Sequence, residues 1–184
     1  MKEVPRRALV TERLVLEPIE ERWAAPLWDA AEASLKELRR WMPWSGQASQ
    51  EETLRFARGS VRGWEEGREF DFAVLSGDTV VGGLGLSVVQ PEAAVGEVGY
   101  WVRTAAAGRG YAVEAARAVV GFGFEEVGLH RIELRAGVEN APSRRVAEKL
   151  GFRLEAEGLR EASRGADRRY DCCLYALLAS DPRP

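Results

Sequence analysis

The chain has 184 residues, a length that fits one domain, and 46% hydrophobic residues are enough to close a single core. Its charged residues make up 30% and leave a net charge of −3, with acids and bases mixed along the chain. That pattern argues against a nucleic-acid binder, which needs a basic stripe, and no run of about 18 apolar residues offers a membrane span. Met1 to Val10 carries charges without the apolar core of a signal peptide, so a cytoplasmic location is the expectation. The two cysteines, Cys172 and Cys173, are adjacent, which suits neither a comfortable disulfide nor a metal site.

In chain order, 11–18 reads as a strand with Leu14 and Leu16 on one face and Pro18 at its end. A helix is expected over 20–34, with Trp23, Leu27 and Ala31 at helical spacing, before the irregular stretch Trp41-Met-Pro-Trp44-Ser-Gly46. Ser49-Gln-Glu-Glu52 is a capping box opening a helix to Gly67, with a buried stripe of Leu54, Ala57, Val61 and Trp64. Strands over 70–75 and 79–89 pair across Ser76-Gly-Asp78, and a third runs over 96–103. A long helix over 109–127 stops at Gly128, a strand follows over 131–138, and a short helix over 140–150 ends at Gly151. Strands over 152–159 and 170–178 complete the chain. Antiparallel strands first and a strand–helix–strand unit later predict one mixed α/β domain over 1–184.

The most informative stretch is Gly99 to Ala116, where a strand runs into Ala107-Gly108-Arg109-Gly110-Tyr111-Ala112 and that loop opens a helix. Amides at a helix N-terminus are unpaired and sit at the positive end of the dipole, and glycines let an anion approach them. The bland alternative is a tight strand-to-helix turn that binds nothing. A P-loop would need Gly-Lys-Ser/Thr, which is absent, and a dinucleotide fingerprint would need a small residue where Val113 stands.

These residues resemble the acetyl-CoA loop of the GNAT acetyltransferases, Gln/Arg-x-x-Gly-x-Gly/Ala, with Gly110 and Ala112 at the last motif positions and Ala107 where Arg or Gln is usual. The departure at Ala107 implies that one side-chain contact to the cofactor is missing or supplied elsewhere. The second half of the resemblance is Asn140-Ala-Pro-Ser143 followed by Lys149-Leu-Gly-Phe152. Its members also suggest bland roles: Asn140 is a good N-cap, Pro142 suits a first helical turn, and Gly151 is a helix stop. The N-terminal half, with Thr11-Glu-Arg-Leu-Val-Leu, Leu38-Arg-Arg-Trp41-Met-Pro-Trp44 and Glu97-Val-Gly-Tyr-Trp101, is similar to the RimJ/RimL-type branch, whose members acetylate protein N-termini or small amines.

The resemblance implies a mostly antiparallel central sheet with a splayed parallel strand pair and flanking helices. It further implies a bulge near Gly99 to Arg103. Acetyl-CoA would be the co-substrate, held by Trp101, Val102, Arg103, Ala107, Gly108, Arg109, Gly110, Tyr111, Ala112, Asn140 and Ser143. The partner expected beyond acetyl-CoA is an amine acceptor, with no nucleic acid and no membrane, and a homodimer is one option for the assembly.

An amine attacks a thioester only when neutral, and amine pKa values of roughly 8–10 make a base useful near neutrality. Glu97, two residues before Gly99, is the leading base by resemblance; its alternative is a solvated strand carboxylate. His130, the single histidine, follows Gly128 at the far end of the long helix and is read as a surface or helix-terminus residue. Backbone N–H groups near Tyr100 to Val102 could hold the oxyanion, and Ser143 is a hydrogen-bond donor for the departing thiolate, or else a first-turn cap. Trp41 and Trp44 could wall the acceptor pocket, or simply pack the loop on the core. Three functions stay open: acetylation of a peptide or protein N-terminus, acetylation of a small amine, and non-catalytic acyl-CoA binding. No acidic run in 41–50 points to a polyamine.

Overall fold

The computed structural model describes residues 4–182. The ends of the expected 1–184 domain, including the first three residues of the segment inspected for a leader, lie outside the described residues. Among the described residues, eight strands form one sheet in the order β1-β2-β3-β4-β5-β6-β8-β7. The strands are β1 (Leu9–Val10), β2 (Val15–Pro18), β3 (Glu69–Ser76), β4 (Thr79–Gln90), β5 (Val95–Val102), β6 (Arg131–Gly137), β7 (Arg153–Arg164) and β8 (Arg169–Leu178). Helices are α1 (Ala24–Glu32), α2 (Leu35–Leu38), α3 (Gln50–Glu65), α4 (Tyr111–Phe122) and α5 (Ala141–Lys149). No described helix is long and apolar enough to cross a membrane.

Every neighbouring pair is antiparallel except β5 and β6, which pair in parallel only at Val95 with Arg131, Gly96 with Ile132 and Glu97 with Glu133. Beyond Glu97 the two strands part, as the family resemblance implied. The implied bulge is not on 99–103, where β5 pairs regularly with β4 from Gly96 to Val102. The register breaks instead between Val88 and Gln90 of β4, opposite the start of β5.

Alternation along the strands sends two sets of side chains to two faces. Phe70, Phe72, Leu84, Leu86, Val98, Ile132 and Leu134 join Ala116 and Val119 of α4 and Ala147 of α5 in the larger core. Ala73, Leu75 and Val80 meet Leu27 and Ala30 of α1 and Ala57 of α3 on the other face. Burying each such aliphatic or aromatic side chain contributes about 1.5–3 kcal/mol, which is what holds the helices to the sheet. Both cysteines are fully buried because both faces of β8 are covered there.

Several boundaries differ from the sequence expectations. The first strand does not begin at Thr11. Thr11 N and Oγ1 both bond the Leu14 carbonyl, at 2.9 and 3.2 Å, and this turn splits 9–18 into a short hairpin. Ser49 caps α3 as expected, accepting from Glu52 N at 3.1 Å. Its buried stripe is Ala57, Ser60, Gly63 and Trp64, so Leu54 and Val61 stand only half-buried. The helix turns this way because Ser60 bonds Asp71 and the Glu69 side chain fills the space a Cβ on Gly63 would take. The last turn of the long helix widens to a π-type turn over Gly123–Val127 before Gly128 ends it at φ +80°. β7 runs on to Arg164, and its hairpin with β8 folds back so that Ala166 N bonds the Arg39 carbonyl at 2.8 Å.

Candidate active site

The parting of β5 from β6 opens a cleft of about 1170 Å³. It is lined on one side by Trp44 and Phe56, along its floor by Asp71, Glu97 and Gly99, and at its far end by Ser143. Its two ends rest on opposite faces of β5, and each face brings different chemistry.

On the α4 face, Tyr100 and Val102 pack with Tyr111, Ala112 and Val113 against the larger core. Below them Gly108 and Gly110 have φ +77° and +83°, and Gly110 stands at the N-cap of α4 with no side-chain cap. The first-turn amides therefore have neither an intrahelical partner nor a capping oxygen. Left-handed backbone disfavours other residues here, and a Cβ on Gly108 would point into open space. Ala107 and Arg109 flank these glycines as exposed residues. The loop is clamped from β1–β2: Arg13 donates to the Arg109 carbonyl at 3.0 Å and lies over the Tyr111 ring, while its Nε donates to Glu114 at 2.7 Å. Tyr111 meets Ser76 at 3.2 Å. Beside the loop, Arg103 has a buried Nε with no hydrogen-bond partner among the described residues. An uncapped helix start and two left-handed glycines fit a diphosphate, and the unpaired edge of β5 fits an amide-bearing pantetheine arm.

At the seam, Asn140 accepts from Ser143 N at 3.3 Å and so caps α5. The Ser143 hydroxyl does not cap; it lies 2.9 Å from the Tyr100 hydroxyl, bridging α5 to β5. Burial pushes the Tyr100 phenol up to about 12 despite that bond, so it stays protonated. The sequence reading used only the backbone near Tyr100; the alternation Val98-Gly99-Tyr100 with Glu97 opposite was the available signal for its side chain.

On the other face lie Glu97, Gly99 and Trp101. Glu97 is at the last paired rung, its side chain 36% exposed, and it accepts from Arg135 Nε at 3.2 Å. Trp101 packs with the α1–α3 cluster, its indole over Gly83 and 5.8 Å from Trp44. Expected among the cofactor-binding residues, it lies with its indole away from α4, on the Trp44 side of the cleft. Trp44 is 41% exposed and faces the cleft. Trp41 is held differently: its ring meets Tyr170 edge-on at 5.2 Å, sits over Gly137, and has Arg40 and Arg168 within 4.7 and 5.9 Å of its centre. Both tryptophans line the cleft, but Trp41 also ties the 41–46 segment to β6 and β8. His130 is exposed, with its amide on Ala94.

Two groups lie outside the sequence expectations. Asp71 on β3 lines the floor, its carboxylate accepting from Ser60 Oγ at 2.7 Å; burial first, and Glu69 nearby, raise its pKa to about 6. Glu69 in turn accepts from Ser87 at 2.5 Å. No sequence signal marks Asp71, because its neighbours come from α3 and β4.

The chain is similar to known acetyltransferases. It is 27% identical over 170 residues to the ribosomal-protein-serine acetyltransferase of Escherichia coli K12, covering 92% of this chain and 94% of that one. It is 30% identical over 113 residues to the uncharacterized N-acetyltransferase p20 of Bacillus licheniformis, spanning 61% of this chain and 63% of that protein's length. Among solved structures, Mycobacterium smegmatis RimJ in complex with CoA-disulfide superposes with a TM-score of 0.83 at 28% identity, covering 90% of this chain and 82% of that one. RimL, the ribosomal L7/L12 alpha-N-protein acetyltransferase, in complex with coenzyme A shares the fold, with a TM-score of 0.88 at 21% identity over 95% and 100% of the two chains. The acetyltransferase (GNAT) domain family matches residues 13–153. With that match over most of its length, the chain belongs to the GNAT family of acetyl-CoA-dependent N-acetyltransferases.

Proposed function

We propose that the protein acetylates the N-terminal amine of a peptide or protein. The observation that carries this reading is the wide cleft open onto the splay, lined from Trp44 and Phe56 to Ser143. A cleft of this size has room for several residues of an extended chain. The similarity to a ribosomal-protein-serine acetyltransferase over nearly the whole length supports the same acceptor class.

In this reading the first-turn amides of α4, with Arg103, hold the diphosphate of acetyl-CoA, and the free edge of β5 pairs with its pantetheine arm. Gly108 and Gly110 leave the room for that approach, Ala107 and Arg109 flank it, and Tyr111, Ala112 and Val102 form the wall behind. Asn140 holds α5 in place so that Ser143 reaches the sulfur. Glu97 accepts a proton from the incoming ammonium, directly or through one water, and Arg135 orients the carboxylate. As the C–N bond forms, those β5 amides that do not bond β4 stabilise the charge gathering on the carbonyl oxygen. When the C–S bond breaks, the Ser143 hydroxyl, held by Tyr100, donates a hydrogen bond to the departing thiolate, while the second proton of the attacking nitrogen is lost to water and the thiolate takes its proton from water.

Release of free thiol from acetyl-CoA tests the proposal, with an N-terminal peptide panel beside a panel of small amines. Peptide-dependent release at k_cat/K_M well above that of the small amines is the expected result. Release with small amines alone would move the acceptor class, and no release with any amine would leave an acyl-CoA-binding module.

A further inference from the structure

The cleft floor holds a half-buried carboxylate with no cationic partner among the described residues. Asp71 accepts from Ser60, and its charged neighbour is Glu69, of like sign. Burying a carboxylate without a cation is costly, and such a group calls for a partner supplied from elsewhere. Asp71 is the sole carboxylate of β3 in the cleft lining.

The register shows what Asp71 is aimed along. Asp71 pairs with Gly85 on β4, and Gly85 pairs with Gly99 on β5. The carboxylate overhangs Gly85, where a Cβ would come within 2.5 Å of Oδ1, and a Cβ on Gly99 would meet nothing within 4 Å. The track from Asp71 to the splay is therefore a side-chain-free groove two strands wide. At about 4.8 Å per strand that is roughly 10 Å. On one side of the track, Trp101 and its neighbour Trp44 offer aromatic faces, which attract cations as well as apolar groups. On the other side Ser87 and Glu97 stand in register.

Building on the reading of this cleft as a peptide-acceptor site, we propose that Asp71 receives a second positive charge of the acceptor. That charge is carried roughly 10 Å from the reacting amine, as by a Lys or Arg side chain at the second position of the acceptor peptide. Ser60 orients the carboxylate, the glycine track admits the chain that links the two nitrogens, and the tryptophans flank it. The acidic character absent from 41–50 is thus supplied by the strands.

Two acceptor pairs test this: peptides differing only in Lys or norleucine at position 2, and a linear diamine with nitrogens about 10 Å apart against the monoamine of equal chain length. Wild type is expected to favour the charged member of any pair it acetylates by about tenfold or more in k_cat/K_M, mainly through K_M. Asp71→Asn, which keeps the shape and a partner for Ser60, should bring that ratio to near one. Ser60→Ala should narrow it, giving a second reading if the Asn variant folds poorly. A wild-type ratio near one, or an unchanged ratio in both variants, overturns the assignment. Turnover of the diamine pair but neither peptide overturns the peptide reading and leaves Asp71 to be judged on the diamines. Peptide turnover without charge preference overturns Asp71 alone, and turnover of neither pair overturns both.

Discussion

The two faces of the sheet at β5 present polar groups of opposite kinds. On the α4 face the polar elements are backbone amides and a neutral phenol: the uncapped start of α4, and Tyr100 hydrogen-bonded to Ser143. On the cleft face they are carboxylates: Glu97 paired with Arg135, and Asp71 without a cation. The first face suits an anion, as proposed for the cofactor, because backbone dipoles need no counter-ion and lose little on burial. The second carries net negative charge and gains from a cationic partner. A transferase that joins an anionic donor to a cationic acceptor gains from this asymmetry, to which β3, β5 and α4 all contribute.

The sharpest contrast between the faces is kinetic. Glu97→Gln is expected to lower turnover about 10²–10⁴-fold across pH 6–9 while CoA affinity changes little. Gly110→Val should do the reverse, weakening CoA binding about 10²-fold by calorimetry, since a β-branched residue at φ +83° strains the cradle and crowds Arg13. Wild-type turnover in the first variant, or unchanged CoA affinity in the second, would erase the division of labour.

A smaller effect is expected at the seam. Ser143→Ala and Tyr100→Phe should each slow thiol release about 10-fold, and the double variant should be little slower than either, since the two hydroxyls act as one hydrogen-bonded pair. Full additivity would mean that Tyr100 and Ser143 work separately. Loss of stability without loss of rate would make their bond a structural tie between β5 and α5.

The smallest effect concerns stability in the absence of any ligand. Asp71 has a pKa raised to about 6 in the folded chain, against roughly 3.9 when unfolded. Between about pH 4 and 6 the folded state holds a proton that the unfolded state has lost, so Asp71 makes stability fall as pH rises through that window and level off above it. Asp71→Asn removes this dependence. Relative to wild type it should gain about 1–3 kcal/mol between pH 4 and pH 7, read from urea unfolding at several pH values. Tyr100→Phe, on the other face, should show no such trend between pH 5 and 9, because the phenol is protonated throughout. A flat Asp71→Asn difference would mean that the carboxylate is solvated and the faces are less unlike.

Local order made the α4 face legible. Gly108, Gly110 and the helix they open lie within a few residues of one another, and the dihedral demands of a strand-to-helix turn are written in glycines. Asn140 and Gly151 bracket α5 for the same reason: a cap and a stop act on their own helix. Alternation also placed Glu97 and Gly99 on one side of β5. These features follow from the sequence because backbone geometry and hydrogen bonding act over a turn or a strand.

Tertiary structure alone decided the rest. Nothing near Trp41 or Trp44 in sequence tells that one is clasped by Tyr170, Gly137 and two arginines while the other opens onto the cleft; the difference comes from β6, β8 and the hairpin after β7. Ser143 reads either as a donor to the thiolate or as a first-turn cap until Tyr100, 43 residues earlier, takes its hydroxyl. Asp71 reads as a strand residue until Ser60 and Gly85 enclose it and no cation arrives. Burial and electrostatics depend on which distant segments meet, and that is fixed only when the sheet is assembled and its cores close.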